Sequence, residues 1–199
     1  MYVIGMLGGV ASGKSLVTEQ LAQFGAAVLD ADQTGHEILR LPQIEAAARK
    51  RWGVKVFDTD GRIDRTSLAR IVFSDSPDAK RERTYLEQLT HPEIARRLKQ
   101  QLDALAASDT EFVVLDAPLL LEAGWDDFCE KLLFVDAPEK VRRKRALARG
   151  WNEEDFAARQ RIQQSLDVKR ERADVVIDNS GLPEQTRVQV EQFWQSLSG

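Results

Sequence analysis

The chain has 199 residues, 43% of them hydrophobic and 30% charged, with a net charge of −4. That is enough for one α/β domain carrying an insertion and too short for two full catalytic domains, while ordinary soluble composition with an acidic balance argues against a general nucleic-acid binder. Cys129 is the only cysteine, so an intrachain disulfide is excluded and a reducing cytosol is the expected compartment; neither a secretory leader nor an apolar run of membrane-spanning length is read.

The first element is the apolar run "YVIGML", read as a short buried strand. Behind it stands "GGVASGKS", which places Gly8, Gly13, Lys14 and Ser15 where the phosphate-binding pattern G-x-x-x-x-G-K-[ST] requires them. Glycine opens backbone angles closed to other residues, so successive N–H groups can turn inward as a nest for anionic oxygens. Lys14 adds a compact charge for the outer phosphates and Ser15 a hydroxyl for Mg²⁺. The following "SLVTEQLAQF" carries Leu16, Val17, Leu21 and Phe24 at helical spacing before Gly25. A helix N-terminus beneath the loop favours phosphate.

Four further strands are predicted at 27–30, 112–117, 131–137 and 175–178, separated by helical patterns, which implies a mostly parallel sheet covered by helices. About eighty residues separate the second strand from the third, far more than a crossover needs, so residues 33–107 read as a largely helical insertion. It contains the Asp60-Gly61 turn and "HPEIARRLKQQLDALAA", in which Pro92 suits a first turn and Ile94, Leu98, Leu102 and Leu105 share a face.

Candidate chemistry lies at strand ends, where ligands of open α/β sheets collect. The second strand ends in "LDAD": if strand geometry continues, Asp30 and Asp32 face the same way, and either can accept a proton from an attacking hydroxyl or help hold Mg²⁺ through water. Capping of the next helix is the plainer role for Asp30. The third strand ends in "VVLDAPLLLEAG", whose Asp116 suits the magnesium shell, with Glu122 a second candidate and Leu119 to Leu121 an apolar wall.

Residues 139–172 hold 11 Lys/Arg against 6 Asp/Glu, a basic segment on an acidic body. Arg142, Arg143, Arg145 and Arg149 form either a solvated helix face or a flap that neutralises a transferring phosphoryl and excludes water. His36 and His91 have no metal-ligand spacing, and His91 before Pro92 can cap or pack. Trp52, Trp125, Trp151 and Trp194 read as packing residues.

Six segments, "GGVASGKS", "VLDADQTGHEIL", "DGRIDRTSLARIVF", "LEQLTHPEI", "DAPLLLEAG" and "ADVVIDNSG", occur in an order that resembles the dephospho-coenzyme A kinases from about Tyr2 to Gly181. The resemblance implies a three-layer P-loop fold with a parallel five-stranded sheet, formed by 1–32 and 108–199, a helical acceptor-binding insertion at 33–107 and a lid at 139–172. It implies transfer of phosphate from ATP, with Mg²⁺, to the ribose 3′-hydroxyl of dephospho-coenzyme A, the final step of coenzyme A synthesis, with no obligate protein partner, nucleic acid or membrane involved. Under it Gly9, Val10, Ala11, Ser12, Gly13, Lys14, Ser15, Leu16 and Asn179 line the nucleotide. Asp32, Lys14 and Arg142 are catalytic, Asp32, His91, Leu120 and Glu122 meet the acceptor, and Ser15 and Asp116 serve the metal. Ala11 stands where glycine is common and Leu16 where threonine usually follows; Ala11 matters only if the position needs a positive φ. A nucleoside monophosphate kinase is disfavoured because a phosphate acceptor calls for arginines rather than a base facing an alcohol. A GTPase-like switch lacks an N-K-x-D element, since "VIDNSG" supplies no lysine.

Overall fold

The structure, a computed structural model, describes residues 1–74 and 76–197; Asp75, Ser198 and Gly199, which fall within the expected insertion and core, lie outside the described residues. Five strands, β1 (Tyr2–Gly8), β2 (Ala27–Asp30), β3 (Phe112–Asp116), β4 (Lys131–Asp136) and β5 (Val175–Asp178), form one parallel sheet in the order β2-β3-β1-β4-β5. β1 is therefore central, with strands on both sides, and its carboxyl end opens into the glycine-rich loop.

Near-continuous apolar runs form these strands because a parallel sheet is covered on both faces. Alternation along β1 divides its residues. Ile4 and Met6 join Val17 and Leu21 of α1 (Lys14–Gln23) and Val190 and Phe193 of α9 (Pro183–Leu197) in one core. Gly5 points the other way, where a Cβ would lie within 2.8 Å of Leu120 and Leu132 and 2.7 Å of the Cys129 sulfur. Burial pushes the Cys129 thiol up to about 12, which makes it a packed side chain and not a nucleophile. The basic segment folds as α6 (Glu139–Ala148), α7 (Glu153–Arg161) and α8 (Leu166–Arg172).

The chain divides into two compact units, Met1–Asp30 with Gln101–Gly199, and Ala31–Gln100. The division falls at 31 and 100 where the sequence suggests 33 and 107. At the second boundary it cuts a single 29-residue helix, so no loop marks it. The smaller unit holds α2 (Ala31–Ile38), α3 (Pro42–Trp52), α4 (Arg65–Val72) and the greater part of α5 (Ala79–Ala107). Pro92 lies inside α5 and does not start it. The thirteen residues before it already form three turns, and that length outweighs one missing N–H. His91 is accordingly mid-helix and not at a helix start.

In the smaller unit Ala48, Trp52, Val56, Leu68 and Val72 form a second core. Glu82 is buried at its edge, accepting from Arg51 Nε and Nη2 at 2.8 Å each and from Trp52 Nε1 at 2.9 Å. Arg81 Nε adds a third donor residue at 3.2 Å. The bond with Arg51 is foremost in holding the Glu82 carboxyl down from 4.5 to about 2. Because the folded value is depressed, the stabilisation is complete above pH 4.5 and fades as pH falls toward 2. Glu82→Gln should therefore cost about 1–3 kcal/mol at neutral pH. Urea unfolding at pH 7 and pH 3 checks it: the gap between variant and wild type should narrow in acid.

Candidate active site

The loop after β1 is built so that one side offers donors and the other hides acceptors. Gly13, with φ of 99°, starts α1, and its carbonyl accepts from Leu16 N at 3.1 Å. Ser12 N bonds Gly9 O at 3.0 Å, closing the turn. Lys14 and Ser15 therefore occupy the first turn of α1, with Ser15 exposed and Leu16 half-buried. A Cβ on Gly13 would collide with the Asn179 amide, and one on Gly9 would lie 2.9 Å from Leu166 and 3.0 Å from Arg142.

The arginine run is split by burial. Arg142 is 2% exposed, its Nε donating to Ala137 O at 3.1 Å and its Nη1 to Val10 O at 3.4 Å. It is part of the wall behind the loop and not on a solvated face. Burial lowers its pKa, with Glu139 and Asp136 opposing. Arg145 donates to Ser12 O and Asn179 O, both at 2.9 Å. Arg143 and Arg149 match the solvated reading: both are exposed, and Arg143 pairs with Glu139 at 2.8 Å on the surface. Beside Gly9 and Val10 lies an open pocket of 260 Å³, lined also by Arg142, Gln160, Gln163 and Leu166.

Asp116 sits at the end of β3, in register with Asp30 of β2 and Met6 of β1. Thr18 of α1 donates to its Oδ2 at 3.4 Å. Burial raises the Asp116 pKa, Lys14 counters, and Asp30 adds to the rise, so a lysine and two carboxylates share this strand-end region. Asp32 does not share strand geometry with Asp30: β2 ends at Asp30 and α2 begins at Ala31, which puts Asp32 in a helical first turn, where the dipole favours a carboxylate. His91 is half-buried in α5, its pKa lowered by burial against an opposing Glu87.

Two expected acceptor contacts have other work. Leu120, 1% exposed, fills the space beneath Gly5. Glu122 accepts from Gln164 N at 2.6 Å and Lys169 Nζ at 3.2 Å, tying the loop after β3 to the start of α8. Burial lowers the Lys169 pKa, with Glu122 opposing. Asn179 is 1% exposed with both amide atoms engaged by protein: Nδ2 donates to Ser12 O at 2.7 Å and Oδ1 accepts from Thr186 at 2.9 Å. Thr18 and Lys169 were absent from the sequence-derived site, and Arg145 entered it only as one member of a basic run. Asp116, Ser12 and Glu122, which they meet, lie 98, 133 and 47 positions away in the chain, and no local pattern announces them.

A glycine-rich loop with G-K-S, at the end of a central parallel strand and opening a helix, defines a P-loop kinase fold. The family model described as dephospho-CoA kinase matches residues 2–184. The chain belongs to the dephospho-CoA kinase family. A protein of that name from Symbiobacterium thermophilum is 39% identical over 202 residues, covering 100% of this chain and 82% of its own length. A crystal structure of a Thermus thermophilus protein superposes with a TM-score of 0.82 at 34% identity, over 100% of this chain and 98% of its own. The dephospho-CoA kinase from Campylobacter jejuni gives 0.72 at 25% identity, over 98% and 96%.

Ala11 has φ of 58°, the left-handed region that L-residues enter at a cost. The methyl group at this loop position is thus a source of strain of about 1 kcal/mol. Ala11→Gly should raise thermal stability by about 0.5–1 kcal/mol. Calorimetric Tm measurement tests it, and an unchanged or lower Tm would show the strain to be compensated locally.

Proposed function

We propose that this protein transfers the terminal phosphoryl group of ATP to the ribose 3′-hydroxyl of dephospho-coenzyme A, releasing coenzyme A and ADP, in the cytosol. The observation that carries the reading is the loop Gly8–Ser15 at the end of β1, within a chain whose family membership extends over residues 2–184. Backbone N–H groups of the loop other than those of Ser12 and Leu16, which bond Gly9 O and Gly13 O, cradle the phosphates, and Lys14 steadies the negative charge that shifts toward the leaving oxygen.

The donors present suit Mg²⁺ as a partner of the nucleotide. Ser15 and Asp116 are hard oxygen ligands, and among the described residues no group of three His, Cys, Asp or Glu forms a dedicated cage. Such a pair would hold a magnesium ion that arrives with the nucleotide. When bound, the ion neutralises phosphate charge. Thr18 orients Asp116 for that contact. Arg142 keeps a cationic wall beside Gly9 and Val10. His91 is assigned to the acceptor on the family resemblance.

A ribose hydroxyl is a poor nucleophile near neutral pH, so a carboxylate that takes its proton as the bond to phosphorus forms lowers the barrier. Asp32 is assigned that role; its support is its place two residues beyond the end of β2 and at the start of α2.

Incubation with Mg-ATP and dephospho-coenzyme A should yield a product one phosphoryl group heavier by mass spectrometry, and its absence would refute the activity. Lys14→Ala should abolish transfer while the circular dichroism spectrum and Tm stay near wild type. Asp32→Asn keeps size and removes the base; it should cut kcat by at least about 10²-fold with little change in ATP affinity. Most of the turnover surviving at saturating acceptor would move Asp32 to a positioning role.

A further inference from the structure

Three hydrogen bonds converge behind the P-loop. The Ser12 carbonyl accepts from Asn179 Nδ2 at 2.7 Å and from Arg145 Nη1 at 2.9 Å. The other arm of Arg145 donates to the Asn179 carbonyl at 2.9 Å, closing the triangle. The Asn179 amide is itself oriented: Thr186, fully buried on α9, donates to Oδ1, and the backbone N–H of Asn179 is fixed to Asp136 O at 2.8 Å. The Ser12 carbonyl can only accept, so Nδ2 must face it and Oδ1 turns to the Thr186 hydroxyl.

In a trans peptide the carbonyl and the following N–H point in opposite directions. The Ser12 carbonyl and the Gly13 N–H belong to one such plane. Two donors pinning that carbonyl backward therefore aim the Gly13 N–H forward, to the side on which the loop receives anions. A glycine is required for the same reason. Its φ of 99° continues the turn, and a side chain there would displace the Asn179 amide.

We infer that Asn179 and Arg145 are positioning residues that hold the Ser12–Gly13 peptide plane in its phosphate-binding orientation, and that Asn179 acts on the triphosphate through this plane and not by touching the base. The inference rests on the P-loop being the triphosphate cradle. Its consequence is that β5, β4 and α6, far from the loop in sequence, preset the loop before nucleotide arrives. Recognition of the phosphates then depends on residues that never touch them.

Isothermal titration calorimetry with Mg-ATP, with magnesium tripolyphosphate, which has no base, and with adenosine separates the possibilities. Asn179→Leu should weaken ATP and tripolyphosphate alike by about tenfold, the worth of one well-formed hydrogen bond, with adenosine unchanged. Thr186→Val, remote from any ligand, should do the same by about threefold because the amide loses its orientation. Arg145→Lys, which keeps the charge and loses the two-armed fork, should follow the tripolyphosphate loss; if Asn179→Leu does not fold, this variant and Thr186→Val carry the test. Weaker ATP binding with tripolyphosphate unaffected would overturn the inference in favour of a base contact, and lowered Tm with unchanged affinities would reduce the triangle to packing. Wild-type protein that bound ATP but not tripolyphosphate would instead refute the cradle.

Discussion

A backbone that turns its N–H groups toward one side turns its carbonyls toward the other, and in this protein that rule organises the neighbourhood of the P-loop. The carbonyls on the far side are inside the protein, where an unpaired acceptor is costly. Gly9 O takes Ser12 N, Val10 O takes Arg142, and Ser12 O takes Arg145 and Asn179. The central strand, α6 and the end of β5 are thereby brought to one place. The nest on the front and the donors behind are two faces of a single constraint.

This constraint explains why arginine is buried here. Guanidinium carries five donors in a rigid fork and keeps its charge under strong desolvation. Arg142 and Arg145 use those donors on neutral carbonyls rather than on carboxylates, so neither is directly ion-paired beside the loop, and Glu139 and Asp136 act on Arg142 only through space. A carboxylate partner would have satisfied the same geometry and removed the field that favours phosphate. Lys169 is treated oppositely, its Nζ lying against Glu122, which suits a tie between the loop after β3 and α8.

The smaller unit solves its own version of the problem. Glu82 gathers Arg51, Trp52 and Arg81, binding α3 to α5 through one carboxylate beside an apolar core of five buried residues. An acidic group with this many donors gives direction to a helical packing that hydrophobic contact alone would leave less specific.

The sequence alone determined the elements whose causes are local. Apolar runs announced all five strands, the glycine spacing announced the P-loop, and the helical period of Val17 and Leu21 placed α1, because each depends on neighbours within a few positions. The ordered motifs also identified the family. Only the tertiary structure decided the rest. It ended β2 at Asp30 so that Asp32 opened a helix, carried α5 through Pro92, sent Leu120 and Glu122 to packing and tethering, and divided one arginine run between interior and surface. Those outcomes depend on which distant backbone oxygen or cavity each side chain meets. Ser12 and Arg145 stand 133 positions apart, and no pattern along the chain encodes that meeting, because the fold alone brings the two together.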